Sequence, residues 1–485
     1  MLIDLNKLLA RNMQYKYPDT SNFVKKEIAM EKKELRIICP NGHLGFAPTK
    51  EESFWIGAAT KPDYYCCDSG SDDIGPVPLG QDISTSHHEW QKHDLELMLI
   101  AAREQGVPMI IGSSGDTGSN SRVDMYIEFI RQLAKKHNLS PFKLAYFYSE
   151  VDKSYIIDKM AKGIVVEGLD GRNNLKMEDL EKTARIVAVA GVHPFIKALE
   201  LGADVIIGGR SSDAAIFAAP AIYHGFPEDQ AYYLGKVLEC ASFCAEPYAA
   251  KESVIGTITQ DDVKVTAMSP YQRCTIASVA GHAMYERTNP YFEFFAGGML
   301  DMTDCVYEQY DDKTTRVTGS KFVPIKGSIM VKLEGSGKVG ERFIGIAGIR
   351  DPYTIKHIDK VIQWSRDQVK ERFGETGYEV YYKIFGKNGV MGDLEPIKET
   401  KSHELCIIVE GIAQTVEAAE EITMIATRQI FYARLPEVKG TAGTAAFVID
   451  EVLKATPAYI WTMDHIIPVD DPMELFEVKT IEIGN

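Results

Sequence analysis

Four short stretches bring together the residue types from which small-molecule sites are built. Asp68-Ser69-Gly70-Ser71-Asp72-Asp73-Ile74-Gly75-Pro76 holds three aspartates and two glycines. Gly112-Ser113-Ser114-Gly115-Asp116-Thr117-Gly118 follows an apolar run and leads into a helical pattern. Ser149-Glu150-Val151-Asp152-Lys153 and Gly208-Gly209-Arg210-Ser211-Ser212-Asp213 complete the set. Glycine lets the backbone approach a ligand closely, and consecutive N–H groups at a helix start bind phosphate or carboxylate without a lysine. Gly112, Ser113, Ser114 and Gly115 are therefore candidates for holding an anion, with an ordinary tight strand-to-helix turn as the alternative. The spacing is GxxGxxG, so the GxGxxG of a nicotinamide or flavin nucleotide site is absent, as is the GK[ST] ending of a P-loop.

Arg210 supplies a planar carboxylate binder, with Ser211 beside it and Asp213 as a base or metal ligand. The competing reading makes Asp213 a helix cap and pairs Arg210 with a neighbouring acid. If these loops share one sheet edge, Asp68, Asp72, Asp116, Glu150, Asp152 and Asp213 repel one another there, and a cation, a proton or Arg210 must relieve them. A Mg²⁺ ion bridging Asp68 and Asp72 would do so, since hard cations favour carboxylate oxygen. Glu89 and His93, four residues apart, form either a metal pair or a solvated helix start. Cys240 and Cys274 bring thiols into the same half of the chain as His282, but a nucleophilic Cys must be exposed and electropositive, and the alternative is buried thiols beside a surface His282. No GxSxG elbow supports serine hydrolysis.

The elements that must position these residues alternate. Short runs apolar on both faces at 35–39, 64–67, 108–111, 142–147, 164–167 and 203–207 suit strands covered by helices on either side. Helical patterns at 94–105, 121–137, 153–162, 177–190 and 194–201 fall between them. This predicts an α/β domain with a mainly parallel sheet over 1–260, whose ligands collect at the carboxyl ends of the strands. From about Val254 longer alternating strands appear, at 326–333, 342–346, 378–384 and 404–410, with helices at 353–373 and 415–429. They predict a smaller α+β domain over 261–485.

Composition narrows the function classes. At 485 residues, with 45% hydrophobic and 25% charged residues, the chain affords a large folded core. A net charge of −16 with no basic stripe argues against nucleic-acid binding. No stretch is apolar enough to span a membrane, residues 1–19 lack the pattern of a secretory leader, and the eight cysteines are too sparse for a disulfide framework. These features predict a cytoplasmic protein, with a homodimer or higher homo-oligomer as the default assembly.

The same loops also resemble the acyclic terpene utilisation (AtuA) family. The similar stretches are DSGSDDIGPVPLG (68–80), PMIIGSSGDTG (108–118), GADVIIGGRSSDAAIFAA (202–219), LEC (238–240), CTIASVAGHAMYE (274–286), VGERFIGIAGIRDP (339–352), FGKNGVMG (385–392) and DHIIPVDDPMELF (464–476). The family name refers to the breakdown of branched isoprenoid alcohols through CoA thioesters. The resemblance does not itself carry a reaction; taken with that pathway, the chemistry of the loop residues favours an enzyme that acts on a small branched or hydroxylated carboxylic acid, or on its CoA thioester, by proton abstraction next to a carbonyl, as a hydratase or other lyase or as an isomerase. On that reading Asp116, Asp213 or His282 exchanges the proton, and the 112–115 turn, Arg210, Ser211 and Arg350 hold the substrate. A noncatalytic acyl-binding or accessory subunit is the alternative, and a cysteine hydrolase a third.

Overall fold

The computed structural model describes residues 32–325, 327, 329–438, 443–448 and 451–484; residues 1–19, expected to carry no secretory leader, and Lys326 lie outside them. Two compact units form: residues 1–335 with 461–485, and residues 336–460. The boundary expected near residue 260 falls inside the first unit.

The first unit is built on a ten-stranded sheet. Its strands in chain order are β1 (Leu35–Cys39), β2 (Tyr64–Gly70), β3 (Met109–Asp116), β4 (Phe142–Phe147), β5 (Val205–Ile207), β6 (Val254–Ile258), β7 (Val263–Ala267), β8 (Val306–Gln309), β9 (Thr314–Thr318) and β10 (Val478–Ile483). Across the sheet they lie in the order β8-β9-β7-β6-β1-β2-β3-β5-β4-β10. The middle five pair in parallel, whereas β6 to β9 extend the sheet antiparallel beside β1 and β10 closes it antiparallel beside β4. The expectation of a mainly parallel sheet therefore holds only for the centre. Antiparallel neighbours need no crossover helix, so β6 and β7, and likewise β8 and β9, are joined as hairpins by short connections.

The central strands are buried on both faces, and successive side chains enter different cores. Ile37, Cys66, Ile110, Phe147 and Ile206 pack on one face with helices Ala215–Tyr223 and Glu228–Leu238. Ile38, Cys67, Ile111, Leu144 and Val205 pack on the other with helices His88–Gln105 and Asn120–Lys136. Two expected elements differ. Residues 164–167 give only the two-residue strand Glu167–Gly168, and residues 177–190 divide into helix Met177–Lys182 and strand Arg185–Ala188. The run Arg185–Ala188 is strand-like in composition, which stops the helix early.

In the second unit, strand Tyr378–Phe385 pairs antiparallel with Leu405–Ala413, which in turn pairs with the long strand Ile329–Ile349 from Glu341 to Ile349. Helices Ile358–Phe373 and Val416–Tyr432 pack with these strands through Val361, Val369, Ile422 and Ile430 against Ile407 and Val409. This matches the expected α+β pattern of that region. Among the described residues no helix is long and apolar enough to cross a membrane.

In the first unit, the Phe147 ring is fully buried, 5.1 Å from Phe195 and 6.1 Å from Phe476 in edge-on contacts. Phe147→Ala is expected to cost about 3–5 kcal/mol of stability, read as a lowered urea midpoint at unchanged slope.

Candidate functional site

The strand-end loops of the first unit close on one another so tightly that side chains are excluded at two positions. A Cβ on Gly70 would lie 2.1 Å from the Asp116 carbonyl oxygen, and one on Gly118 would lie 2.0 Å from the Arg210 nitrogen. Arg210 is the buried centre of this junction. Its Nε and Nη2 grip Glu334 at 2.9 and 3.2 Å, and Nη1 donates to Ser113 Oγ at 3.1 Å, the Ser211 carbonyl at 2.8 Å and Asp213 at 3.1 Å. Asp72 lies 4.0 Å from Nη2. Arg210 lines the cleft described below, but its fork is occupied by an internal carboxylate, so it does not stand open to a substrate as expected.

The 112–115 turn is also committed internally. Strand β3 runs on through Asp116 and is buried throughout. The N–H groups of Ser113 and Ser114 donate to the carbonyls of Gly209 and Gly208 at 3.0 and 3.2 Å, and the Ser114 hydroxyl donates to Gly208 at 2.7 Å. Ser211 is fully buried against Ser113. These residues form the floor under Arg210, and the Ser113 and Ser114 donors expected to cradle an anion are used by the neighbouring strand-end loop instead.

Asp116 is saturated as well. It accepts from Ser84 Oγ at 3.0 Å, from the N–H and hydroxyl of Thr85 at 2.5 and 3.0 Å, and from the N–H and hydroxyl of Ser86 at 2.8 and 2.6 Å. His43 Nε2 lies 3.2 Å away. Burial opposes its charge, but the bonds from His43 and Ser86 outweigh burial and hold the carboxyl far below the usual range. A carboxylate so fixed anchors a loop and orients His43; it is poorly suited to exchanging a proton. Glu150 is likewise neutralised, by Arg185 at 2.7 Å.

A cleft of about 3800 Å³ opens over this floor, lined by Asp68, Asp72, Arg210, Asp213, Lys332 and Glu334. His43, Glu239, Cys240, Tyr248, Lys251 and Tyr285 also line it. Asp68 is 4% exposed, and its Oδ1 has no hydrogen-bond partner. Burial, reinforced by the charge of Asp213 and only partly offset by Arg210, pushes the Asp68 carboxyl well above its ordinary value. Glu239 is pushed up to about 8, first by burial and then by Asp213, against the pull of Lys236 2.7 Å away. Asp68, Asp213 and Glu239 are thus electrostatically linked acids in a single cleft.

Several expected site residues lie elsewhere. His282 is buried rather than on the surface, its Nε2 lacks a partner, and burial followed by the Lys236 charge pushes it down to about 3. It stacks on Tyr285, with ring centroids 4.8 Å apart, and does not line the cleft. Arg350 belongs to the second unit, where it donates to the His403 carbonyl at 2.9 Å. The Cys240 thiol meets the Tyr285 hydroxyl at 3.1 Å and is raised by burial and by Glu239, while Cys274 is fully buried. Neither has the electropositive exposure of a nucleophile. His93 bonds Asp94 and Glu51 and Glu89 faces Lys92, so of the two readings of this stretch the metal pair is not the one that forms.

The donor set also fits Mg²⁺ poorly. Asp72 is already paired with Lys332 at 3.0 Å, and no group of three or more His, Cys, Asp or Glu among the described residues is arranged to hold a metal. Lys332 supplies positive charge where the bridging ion was expected.

Lys332, Glu334, Lys236, Lys251 and His43 were not singled out from the sequence. His43 follows β1 and obeys the same strand-end rule as the other loops. Lys332 and Glu334 sit two apart on a strand, the spacing that places side chains on one face, and Lys236 and Glu239 are three apart at a helix end.

Burial opposes the Asp72 charge, but Arg210 and Lys332 overcome it and lower the carboxyl from 3.8 to about 2. A depressed folded value contributes stability that is present above the unfolded value and lost as pH falls through the folded one. The stability deficit of Asp72→Asn relative to the native chain should therefore be full near pH 7 and shrink as pH falls from about 4 to about 2, as measured by urea unfolding at each pH.

The family description "Acyclic terpene utilisation family protein AtuA" matches residues 35–466, which include every loop of the cleft floor. Neither a curated protein nor a solved structure matches the chain. With the match running from β1 to the strand that carries Asp464, the chain belongs to the acyclic terpene utilisation (AtuA) family.

Proposed function

We propose that the protein is an enzyme that moves a proton next to the carbonyl of a small branched or hydroxylated carboxylic acid, or of its CoA thioester, in a hydratase, lyase or isomerase reaction. The observation that supports this reading is the Asp68 carboxyl, buried at the cleft wall with an unpartnered oxygen and raised by burial and by Asp213. A carboxyl raised in this way favours its protonated form, the form that can deliver a proton. Family membership adds a link to acyclic terpene utilisation and so to a catabolic role.

In a dehydration, a carboxylate removes the proton from the carbon next to the carbonyl, and a protonated carboxyl donates to the departing hydroxyl, which leaves as water. On this reading Asp213, ion-paired with Arg210 at 3.1 Å, acts as the base. Asp68, or Glu239 at about 8, acts as the acid. A raised carboxyl beside an ion-paired carboxylate is an arrangement that can divide these two roles. No step requires a metal bridging Asp68 and Asp72.

The alternative, a noncatalytic acyl-binding subunit, draws support from the size of the cleft, since 3800 Å³ exceeds what a small acid fills. Branched 2-enoyl-CoA thioesters and their 3-hydroxyacyl counterparts, followed by loss or gain of the enoyl absorbance, distinguish the two. Asp68→Asn and Asp213→Asn are expected to lower turnover roughly 10²–10⁴-fold while binding persists. Turnover that needs protonated Glu239 should fall as pH rises through about 8, and Glu239→Gln should abolish that inflection. Full turnover in Asp68→Asn would refute the assignment, and acyl binding without turnover in the native chain would favour the accessory subunit.

A further inference from the structure

Arg210 and the 112–115 turn are occupied by Glu334 and by backbone carbonyls, so another cation must receive the anionic end of a ligand in the cleft. Most candidates are already paired. Lys197 lies 3.5 Å from Glu200, Arg287 pairs with Glu293, and Lys332 meets Asp72, Glu334 and Asp464 at 3.0, 3.0 and 3.4 Å. Lys251 differs from all of them. Its Nζ donates to the His43 carbonyl at 3.1 Å and lies 5.5 Å from the centre of the Phe46 ring, and among the described residues no carboxylate approaches within 4.0 Å.

The position of Lys251 is fixed. Its backbone carbonyl accepts from the Lys50 N–H at 2.9 Å, and its φ of 66° places it in the left-handed region, which requires support from surrounding structure. Burial holds the amine below its ordinary range, despite the opposing influence of Cys67 and Asp94. A desolvated ammonium without a carboxylate gains the missing interaction when an anion arrives.

The surroundings indicate what carries the anion. Phe46, Phe243 and Tyr248 line the same cleft and are 55, 54 and 60% exposed, and the Phe243 and Tyr248 rings lie 5.1 Å apart. Exposed aromatic surface in a concave site gains free energy by covering hydrocarbon. We propose that Lys251 is the anion-binding residue of the cleft, receiving a carboxylate or phosphate borne on a hydrocarbon-containing ligand, with Phe46 against the adjoining apolar part. His43 is a positioning residue for it, since its carbonyl fixes Nζ while its ring is tied to Asp116. The inference rests on the reading of the cleft as the substrate site.

Calorimetric titration of the full chain with isovalerate, CoA and isovaleryl-CoA at low salt tests it. Lys251→Met is expected to weaken binding at least roughly tenfold, whereas Lys251→Arg stays within about threefold, a difference of the size expected for one charge-assisted contact. Lysine-dependent binding of isovalerate identifies the carboxylate as the recognised group; lysine-dependent binding of CoA and isovaleryl-CoA alone identifies the phosphates. In the native chain a bound probe should also slow acetylation of Lys251, read by peptide mass spectrometry, a measurement that needs no variant to fold. Binding by Lys251→Met equal to the native chain, or no binding of any of the three probes by the native chain, overturns the proposal. Asp68→Asn should bind like the native protein, so retained turnover in that variant refutes the proton-transfer reading alone, and loss of lysine dependence refutes the anion site alone.

Discussion

The buried guanidinium of Arg210 is the constraint on which the cleft depends. Removing such a group from water costs several kcal/mol unless its donors are met, and here Glu334, Asp213, Ser113 and the Ser211 carbonyl meet them. To satisfy it, the loops after β3 and β5 and the strand bearing Glu334 must meet at one point. The glycines at 70 and 118 permit that approach, because any side chain there would collide with backbone. The residue is thus a keystone of the floor, and the binding of ligands is left to groups around the rim.

Two aspartates on neighbouring strands illustrate how surroundings divide similar side chains. Asp116 collects donors from Ser84, Thr85, Ser86 and His43, and so is held ionised. Asp68, on the neighbouring strand, leaves an oxygen without a donor and faces the like charge of Asp213, so its neutral form is favoured. Both are buried, and both lie on parallel strands of the same sheet. The difference lies in how many N–H and O–H groups the local chain supplies.

Much of the framework was legible in the sequence, because continuous apolar runs such as Leu35–Cys39 and Phe142–Phe147 admit few structures other than covered strands. Strand-end geometry also located Asp68, Arg210 and Asp213 at one cleft. What could not be read was which of those groups would be spent internally. Arg210 is satisfied by Glu334, 124 positions away, and the donors of Ser113 and Ser114 by carbonyls nearly a hundred positions on. Pairings across such separations leave no local pattern. Lys251 escaped notice for the same reason, since its character comes from burial and from what is missing beside it. The domain boundary was misplaced because antiparallel strands after Val254 look alike whether they begin a new sheet or extend an old one.

Strand β10 lies against β4 at one border of the ten-stranded sheet, although more than three hundred residues separate them in the chain. During synthesis β4 leaves the ribosome long before its last neighbour exists, with a row of hydrogen-bonding groups uncovered on that side. The first unit therefore reaches its finished state only after translation has passed Ile483, and until then its exposed border is a place for chaperones to protect or for other nascent chains to pair.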